Sequence, residues 1–348
     1  LYLTRSFWAM AALLMSLSIS QNALAQPSAA APATAATAAS APSATQAAEP
    51  PSQVTVGAYV VHIQDLNFKE NKYSLDFYLW FRWKADGRLA DYKPLESFEI
   101  INGKIENKSS VVEKKIGDMN YASVRVSATM AETWELKQFP FDAHTMKVNI
   151  EDSNFTTSDL VFVVDKDNSK LGDEIDMAGW NESHFTADAN THTYHSNYGD
   201  PSLPTDARSE YSRFVFGMDI DRESFGSAFK LLSTVLLATA VAFVSFMVKP
   251  SDLDARFGMG VGALFAVAAS EFVASSSVPD SGVMTVADAV HMIALSFIFV
   301  TLLLSAICLK FEVTGREALA FRIDRICVIV FPIVFYGWAA LVMWRALH

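Results

Sequence analysis

A chain of 348 residues carries a formal net charge of −11. That argues against nucleic-acid binding, because a phosphate backbone wants a basic face and none is visible. The mean hydropathy is +0.21 although the middle of the chain reads as ordinary soluble sequence, so the apolar residues must be concentrated, and they are, in the last third.

The start reads as a secretory signal over residues 1–25. Arg5 supplies the charge, Phe7 to Ile19 the apolar run, and Ala23-Leu24-Ala25 a small-x-small cleavage site. The chain opens on Leu1 and not on Met. Residues 26–53 are almost wholly Ala, Pro, Ser and Thr, a composition that cannot bury a core and reads as a disordered linker.

Over 54–222 the pattern has a period of two. Tyr73, Leu75, Phe77, Leu79, Phe81 and Trp83 share one face, with Asp76 and Arg82 on the other. Met146, Val148 and Ile150 alternate with polar neighbours, as do Phe214, Phe216, Met218 and Ile220. Asp86-Gly87, Asn102-Gly103 and Gly199-Asp200-Pro201 supply turns. The expectation is an all-β, immunoglobulin-like sandwich.

Residues 223–348 form the expected four-helix transmembrane domain, with spans at about 226–248, 257–277, 287–309 and 326–347. Lys230 can snorkel at the start of the first. Lys249, Arg256, Lys310, Arg316, Arg322 and Arg325 lie in the first and third connections, whereas Ser275 to Asp288 holds no Lys or Arg. That asymmetry orients the helices with an exported sandwich. The two cysteines, Cys308 and Cys327, fall inside apolar spans and read as packing residues, so no disulfide staples the sandwich.

The second span is the odd one. Gly258, Gly260, Gly262, Glu271 and Ser275 to Ser277 make it a poor lipid-facing helix, suited to packing within a bundle or lining water. At helical spacing Gly258, Gly262, Phe265, Ala269, Phe272 and Ser276 fall on one face: small first, bulky and apolar in the middle, hydroxyl last. Such a face either lines a pore or packs in a bundle that conducts nothing. Glu271 lies beside the stripe and is expected to bond a neighbouring span or a buried water. His291 reads as a hydrogen-bonded packing histidine.

The sharpest local signal is Trp134 to Asp142, WELKQFPFD. Proline between two aromatics fixes a turn, and the acid after it is free to find a basic partner. Set in an exported sandwich ahead of four spans, this turn closely resembles the signature of the pentameric ligand-gated ion channels, the Cys-loop receptor superfamily. The resemblance runs from about Val54 to the C-terminus. It takes in the strand ending in Trp83, Phe139-Pro140-Phe141-Asp142, Arg222 entering the first span, Ala255-Arg256 opening the second and Val278-Pro279 closing it. Glu132 and Met146 stand where many members have the loop cysteines, and the link from Leu309 to Arg325 is short; both features resemble bacterial members. The first span lacks the proline many relatives carry.

The resemblance implies a homopentamer around a central pore lined by the second span, in a bacterial inner membrane with the sandwich periplasmic. Conduction is passive, with no enzymatic chemistry, cofactor or metal; His184, His192 and His195 lack companions in a metal-binding pattern. The expected partners are membrane lipid, permeant inorganic ions and a small-molecule or proton agonist. Rings of Phe265 and Phe272 would form a hydrophobic gate. A ring of Asp254 at the inner mouth favours cations, with Arg256 turned toward lipid headgroups or a neighbouring helix; Ala255-Arg256-Phe257-Gly258 also resembles anion-selective members. Agonist would sit between sandwiches, against Trp83 on one face and Ile101, Phe155, Tyr194, Tyr198 and Tyr211 on the other. Phe139, Pro140, Phe141, Asp142, Arg222 and Pro279, beside the Lys69-Glu70-Asn71 turn, would couple sandwich to pore. A membrane-anchored sensor that conducts nothing is the alternative.

Overall fold

The computed structural model describes residues 50–348 except 176, 203, 205, 280, 281 and 348, and the side chains of 182, 183, 224, 225 and 227. The signal and most of the linker lie outside the described residues.

Among the described residues, ten strands make two sheets. They are β1 (Ser52–Asn67), β2 (Lys72–Lys84), β3 (Phe98–Ile100), β4 (Gly103–Ile116), β5 (Met119–Ala131), β6 (Ala143–Asp152), β7 (Leu160–Val164), β8 (Lys170–Leu171), β9 (Trp180–His195) and β10 (Arg208–Arg222). The six-stranded sheet runs β4-β5-β2-β1-β7, with β8 also on β1; the four-stranded sheet runs β3-β6-β10-β9. All pairings are antiparallel except those of β1 with β7 and β8. β1 starts at Ser52, inside the expected linker, because Ser52 to Val56 pair in parallel with Leu160 to Val164.

The period of two sets the core. Tyr73, Leu75, Phe77, Leu79, Phe81 and Trp83 all point inward, against Phe214, Phe216 and the inward residues of β5 and β6. Each such side chain taken from water contributes about 1.5–3 kcal/mol. At one point the strands themselves come close. A Cβ on Gly217 of β10 would lie 2.3 Å from the Met146 carbonyl oxygen on β6.

Four helices follow, each long and apolar enough to span a bilayer: α1 (Ser224–Val244), continued by a 3₁₀ turn at Ser245–Met247, then α2 (Leu253–Ser276), α3 (Val286–Val313) and α4 (Glu317–Leu347). The last two overrun their expected bounds of 287–309 and 326–347. Hydropathy marks only the stretch that lipid covers, whereas the α-helical hydrogen bonding continues through Lys310, Arg322 and Arg325. The link between α3 and α4 thereby shrinks to residues 314–316, where Gly315 takes a φ of 74° that glycine adopts without strain.

Gly217→Ala should cost about 1–3 kcal/mol by forcing β6 and β10 apart, read as a lower melting temperature of the full-length protein. An unchanged transition would show that the strands can separate freely there.

Candidate functional site

Asp142 is fully buried at the end of the sandwich where β10 runs into α1, and both its oxygens are taken. Arg222 donates from Nε to Oδ1 at 2.7 Å and from Nη2 to Oδ2 at 3.0 Å. His144 Nε2 lies 2.6 Å from Oδ2. The guanidinium also lies over Trp180, Phe139 and Phe68, 4.2, 5.1 and 5.2 Å from their ring centroids. Phe68 in turn stacks on Trp180 at 5.2 Å and touches Trp134 at 4.8 Å. A charged fork is thus held in an aromatic box. Burial alone would push the Asp142 carboxyl up. The His144 and Arg222 hydrogen bonds and the Arg222 charge outweigh it and hold the pKa down, to about 2.

The turn that carries Asp142 ends on the helices. The first four N–H groups of a helix lack partners within it, and in α3 each finds one. Val286 N donates to Lys137 O and Ala287 N to Phe139 O, both at 3.1 Å. Asp288 N donates to Thr285 Oγ1 at 3.1 Å, while Thr285 N donates back to Asp288 Oδ2 at 2.9 Å. Ala289 N donates to Thr285 O at 3.1 Å. The sandwich therefore supplies part of the cap of α3 through the carbonyls of the Lys137–Gln138 and Phe139–Pro140 peptides. Phe139-Pro140 is cis. On the other side Val278, just past α2, packs on the sandwich core. Lys69, Glu271, Phe272, Pro279 and Asp288 line an open cleft of about 590 Å³ between the β1–β2 turn and the α2–α3 link.

Sequence reasoning missed His144, Phe68, Trp134 and Trp180. His144 was findable: it shares the inward face of β6 with Met146, Val148 and Ile150, so an inward polar group there requires a partner.

α2 has two faces. Arg256, Gly260, Ala263, Val267 and Ala274 are buried against the other helices. The opposite stripe is bare in the protomer: Gly258, Gly262, Ala269 and Ser276 are exposed, as are Phe265 at 68 % and Phe272 at 77 %. The glycines divide the same way. A Cβ on Gly260 would meet Leu302 at 2.4 Å, while nothing lies within 4 Å of one on Gly258 or Gly262. Asp252 caps the helix, accepting from Ala255 N at 3.4 Å, and Asp254 is exposed in the first turn.

Arg256 does not reach toward lipid headgroups; it is 0 % exposed. Its guanidinium donates to both oxygens of Asp324 on α4 at 2.9 and 2.5 Å, to Ser305 Oγ on α3 at 3.0 Å and to Val248 O after α1 at 3.0 Å. A buried fork with four acceptors cannot swing outward cheaply. His291 is hydrogen-bonded as expected, lying 2.8 Å from Ala287 O and 3.1 Å from Ser270 Oγ.

The expected agonist residues separate into groups. Tyr194 lies 5.7 Å from Tyr211 and 6.2 Å from Tyr198, ring to ring. Its hydroxyl donates to Glu151 Oε2 at 3.1 Å, and Arg213 binds Glu151 Oε1 at 2.6 Å. Phe155 meets Tyr92 edge-on at 5.5 Å, and Ile101 sits in the turn after β3, donating its N–H to Asn149 O at 2.9 Å. Trp83 lines an open pocket of about 270 Å³ with Tyr92, Lys114 and Tyr121. It is 6 % exposed and packs edge-on against Tyr92 at 5.5 Å, sharing the inward parity of Phe81. The outward positions of β2 belong to Trp80 and Arg82, which hold Asp165 at 3.0 and 2.7 Å.

No family model matches the chain. It is similar to the proton-gated ion channel of Gloeobacter violaceus, 22 % identical over 306 residues that cover 83 % of this chain and 81 % of the relative. It is also similar to the gamma-aminobutyric acid receptor subunit theta of Mus musculus, 21 % identical over 276 residues, 73 % of this chain and 41 % of the receptor subunit. Both alignments are long enough to take in sandwich and helices together. The chain is similar to these ion-channel and receptor subunits across sandwich and helices alike. Ion-channel function is supported by these relatives, neither of which is named as an enzyme, and the four apolar helices support a multi-pass membrane protein.

The Asp142 pKa lies below the ordinary carboxylate value, so its stabilisation is complete above about pH 4 and disappears as pH falls through about 2. Asp142→Asn should therefore destabilise the protein by roughly 2 kcal/mol at pH 7, and the gap to the parent should close between pH 4 and pH 2 in thermal melts. A gap that persists undiminished at pH 2 would contradict the assignment.

Proposed function

We propose that the chain forms a homopentameric ligand-gated channel in which α2 lines the pore and cations are the preferred ions. The observation that carries this reading is the division of α2 into a buried face and a bare stripe of small and then bulky apolar residues. Five copies of that stripe around an axis would leave a wide end at Gly258 and Gly262. Rings of Phe265 and Phe272 would shed water and close the path. Ser276 would face the other mouth.

Asp254 supports the choice of cations. It is exposed at the start of α2, where five carboxylates would concentrate cations and repel anions, whereas the neighbouring Arg256 is buried and paired. The lysine and arginine bias of the α1–α2 and α3–α4 links supports a cytoplasmic position for that end and a periplasmic sandwich in a bacterial inner membrane. Agonist, a proton or a small molecule, would act through the sandwiches, with Tyr194, Tyr198 and Tyr211 as the cluster best placed to receive one. Phe155 and Ile101 would border it. Phe139, Pro140, Phe141, Asp142, Arg222 and Pro279 would pass the change to α2 and α3. The Asp142 carboxylate stays ionised through mild acid.

Sizing by native mass spectrometry and ion flux in liposomes, under pH steps and a panel of small amines, test this reading. The expected result is a pentamer passing sodium in preference to chloride. Asp254→Asn should lower that preference by about tenfold, and Phe265→Ala should raise flux without stimulus by a similar factor. A monomer or dimer, silent under every stimulus, would favour a sensor that conducts nothing; chloride preference in the parent would assign an anion channel.

A further inference from the structure

Asp254 and Arg256 lie two residues apart at the same end of α2, and in the sequence their charges cancel. In the fold they do not meet. Two residues turn a helix by about 200°, which puts Asp254 on the exposed side and Arg256 on the buried one. The Arg256 charge is then consumed by Asp324, which belongs to α4 and is itself buried. Ser305 on α3 and Val248 just after α1 take further guanidinium N–H groups, so the whole bundle contributes to holding one cation away from the stripe.

We propose that Asp324, on the helix most distant in sequence from the stripe, is a specificity-determining residue: it withholds the Arg256 charge from the mouth, so that Asp254 alone sets the sign of the field there. This rests on the reading of α2 as a cation-selective pore lining. The physical reasoning is direct. A guanidinium without its carboxylate is too costly to leave in the bundle interior. Its long stem lets it reach the nearest water, and that water is at the end of α2, within about one helical turn (5.4 Å) of Asp254. Five relocated arginines would offset five Asp254 carboxylates. Asp324 acts through Arg256 and never touches an ion; it is a positioning residue.

The test needs no agonist. Gly258→Cys is introduced into the full-length chain, whose own Cys308 and Cys327 are 0 % and 2 % exposed, and this single variant serves as the reference. The protein is kept in detergent so that both ends are reachable. Modification rates are compared for a cationic and an anionic methanethiosulfonate reagent of matched size. The reference should react about tenfold faster with the cationic reagent, and adding Asp254→Asn should remove that preference. Asp324→Asn should reduce or invert it, Asp324→Glu should retain it, and the pair Arg256→Gln, Asp324→Asn should retain it too, because no charge is released. A general loosening of the bundle would speed both reagents together and leave the ratio alone.

An unchanged ratio in a folded Asp324→Asn protein would overturn the proposal, as would an altered ratio when Arg256→Gln accompanies it. Should Asp324→Asn fail to assemble, assembly of the protein carrying both changes supports the proposal, since only the unpaired charge distinguishes the two; failure of both contradicts it. A Gly258→Cys reference that is unreactive to both reagents, or prefers the anionic one, refutes the pore reading itself, an outcome distinct from all of these.

Discussion

Asp142 is the fixed point between two kinds of structure. It is buried, yet a carboxylate cannot remain ionised in an apolar interior without partners that replace its water. Arg222 and His144 are those partners, and Phe68, Trp134 and Trp180 close the box around them. Because Arg222 is the last residue of β10 and Asp142 follows the Phe-Pro-Phe turn, one ion pair sets where the sandwich ends relative to where α1 begins. The same turn then offers the carbonyls of Lys137 and Phe139 to the first amides of α3. Displacing the carboxylate therefore acts on a helix cap, through rigid backbone, and not on a loose loop.

A second buried arginine–aspartate pair stands at the opposite end of the helices. Arg256 and Asp324 bind α2 to α4, with Ser305 of α3 and Val248 beside them. α2 is thus tied by charge at its start and by apolar contact near its finish, where Val278 reaches the sandwich core. Between these ends its bare stripe makes no packing demand, and Gly258 and Gly262 have open space where Gly260 has Leu302. Along its other side Ala263, Val267 and Ala274 stay buried, and Ser270 meets His291 of α3 at 3.1 Å.

Much of this was legible from residue pattern. Period-two alternation gave the inward faces of β2, β6 and β10, helical spacing gave the stripe of α2, and the Phe-Pro-Phe-Asp turn marked the joint. What escaped has a physical cause in each case. His144 was hidden in plain alternation because attention to apolar residues passes over a polar one facing inward. The Arg256 partner could not be read, because a charge at a helix start finds its acceptor 68 residues away on a helix whose first turns looked like a polar link. Hydropathy saw only the lipid-covered part of α3 and α4, and their charged ends are helix as well.

The joint is tested most directly by hydrogen exchange at individual amides of the full-length protein, comparing the parent with Asp142→Asn at neutral pH. If Asp142 positions the turn that caps α3, the amides of Val286 and Ala287 should exchange at least about tenfold faster in the variant, a loss of roughly 1.4 kcal/mol of protection. The amides of Asp288 and Ala289, capped by Thr285, should keep their rates. Equal protection of all four in parent and variant would mean that the cap stands without the ion pair, and that the sandwich and the helices are joined by something else.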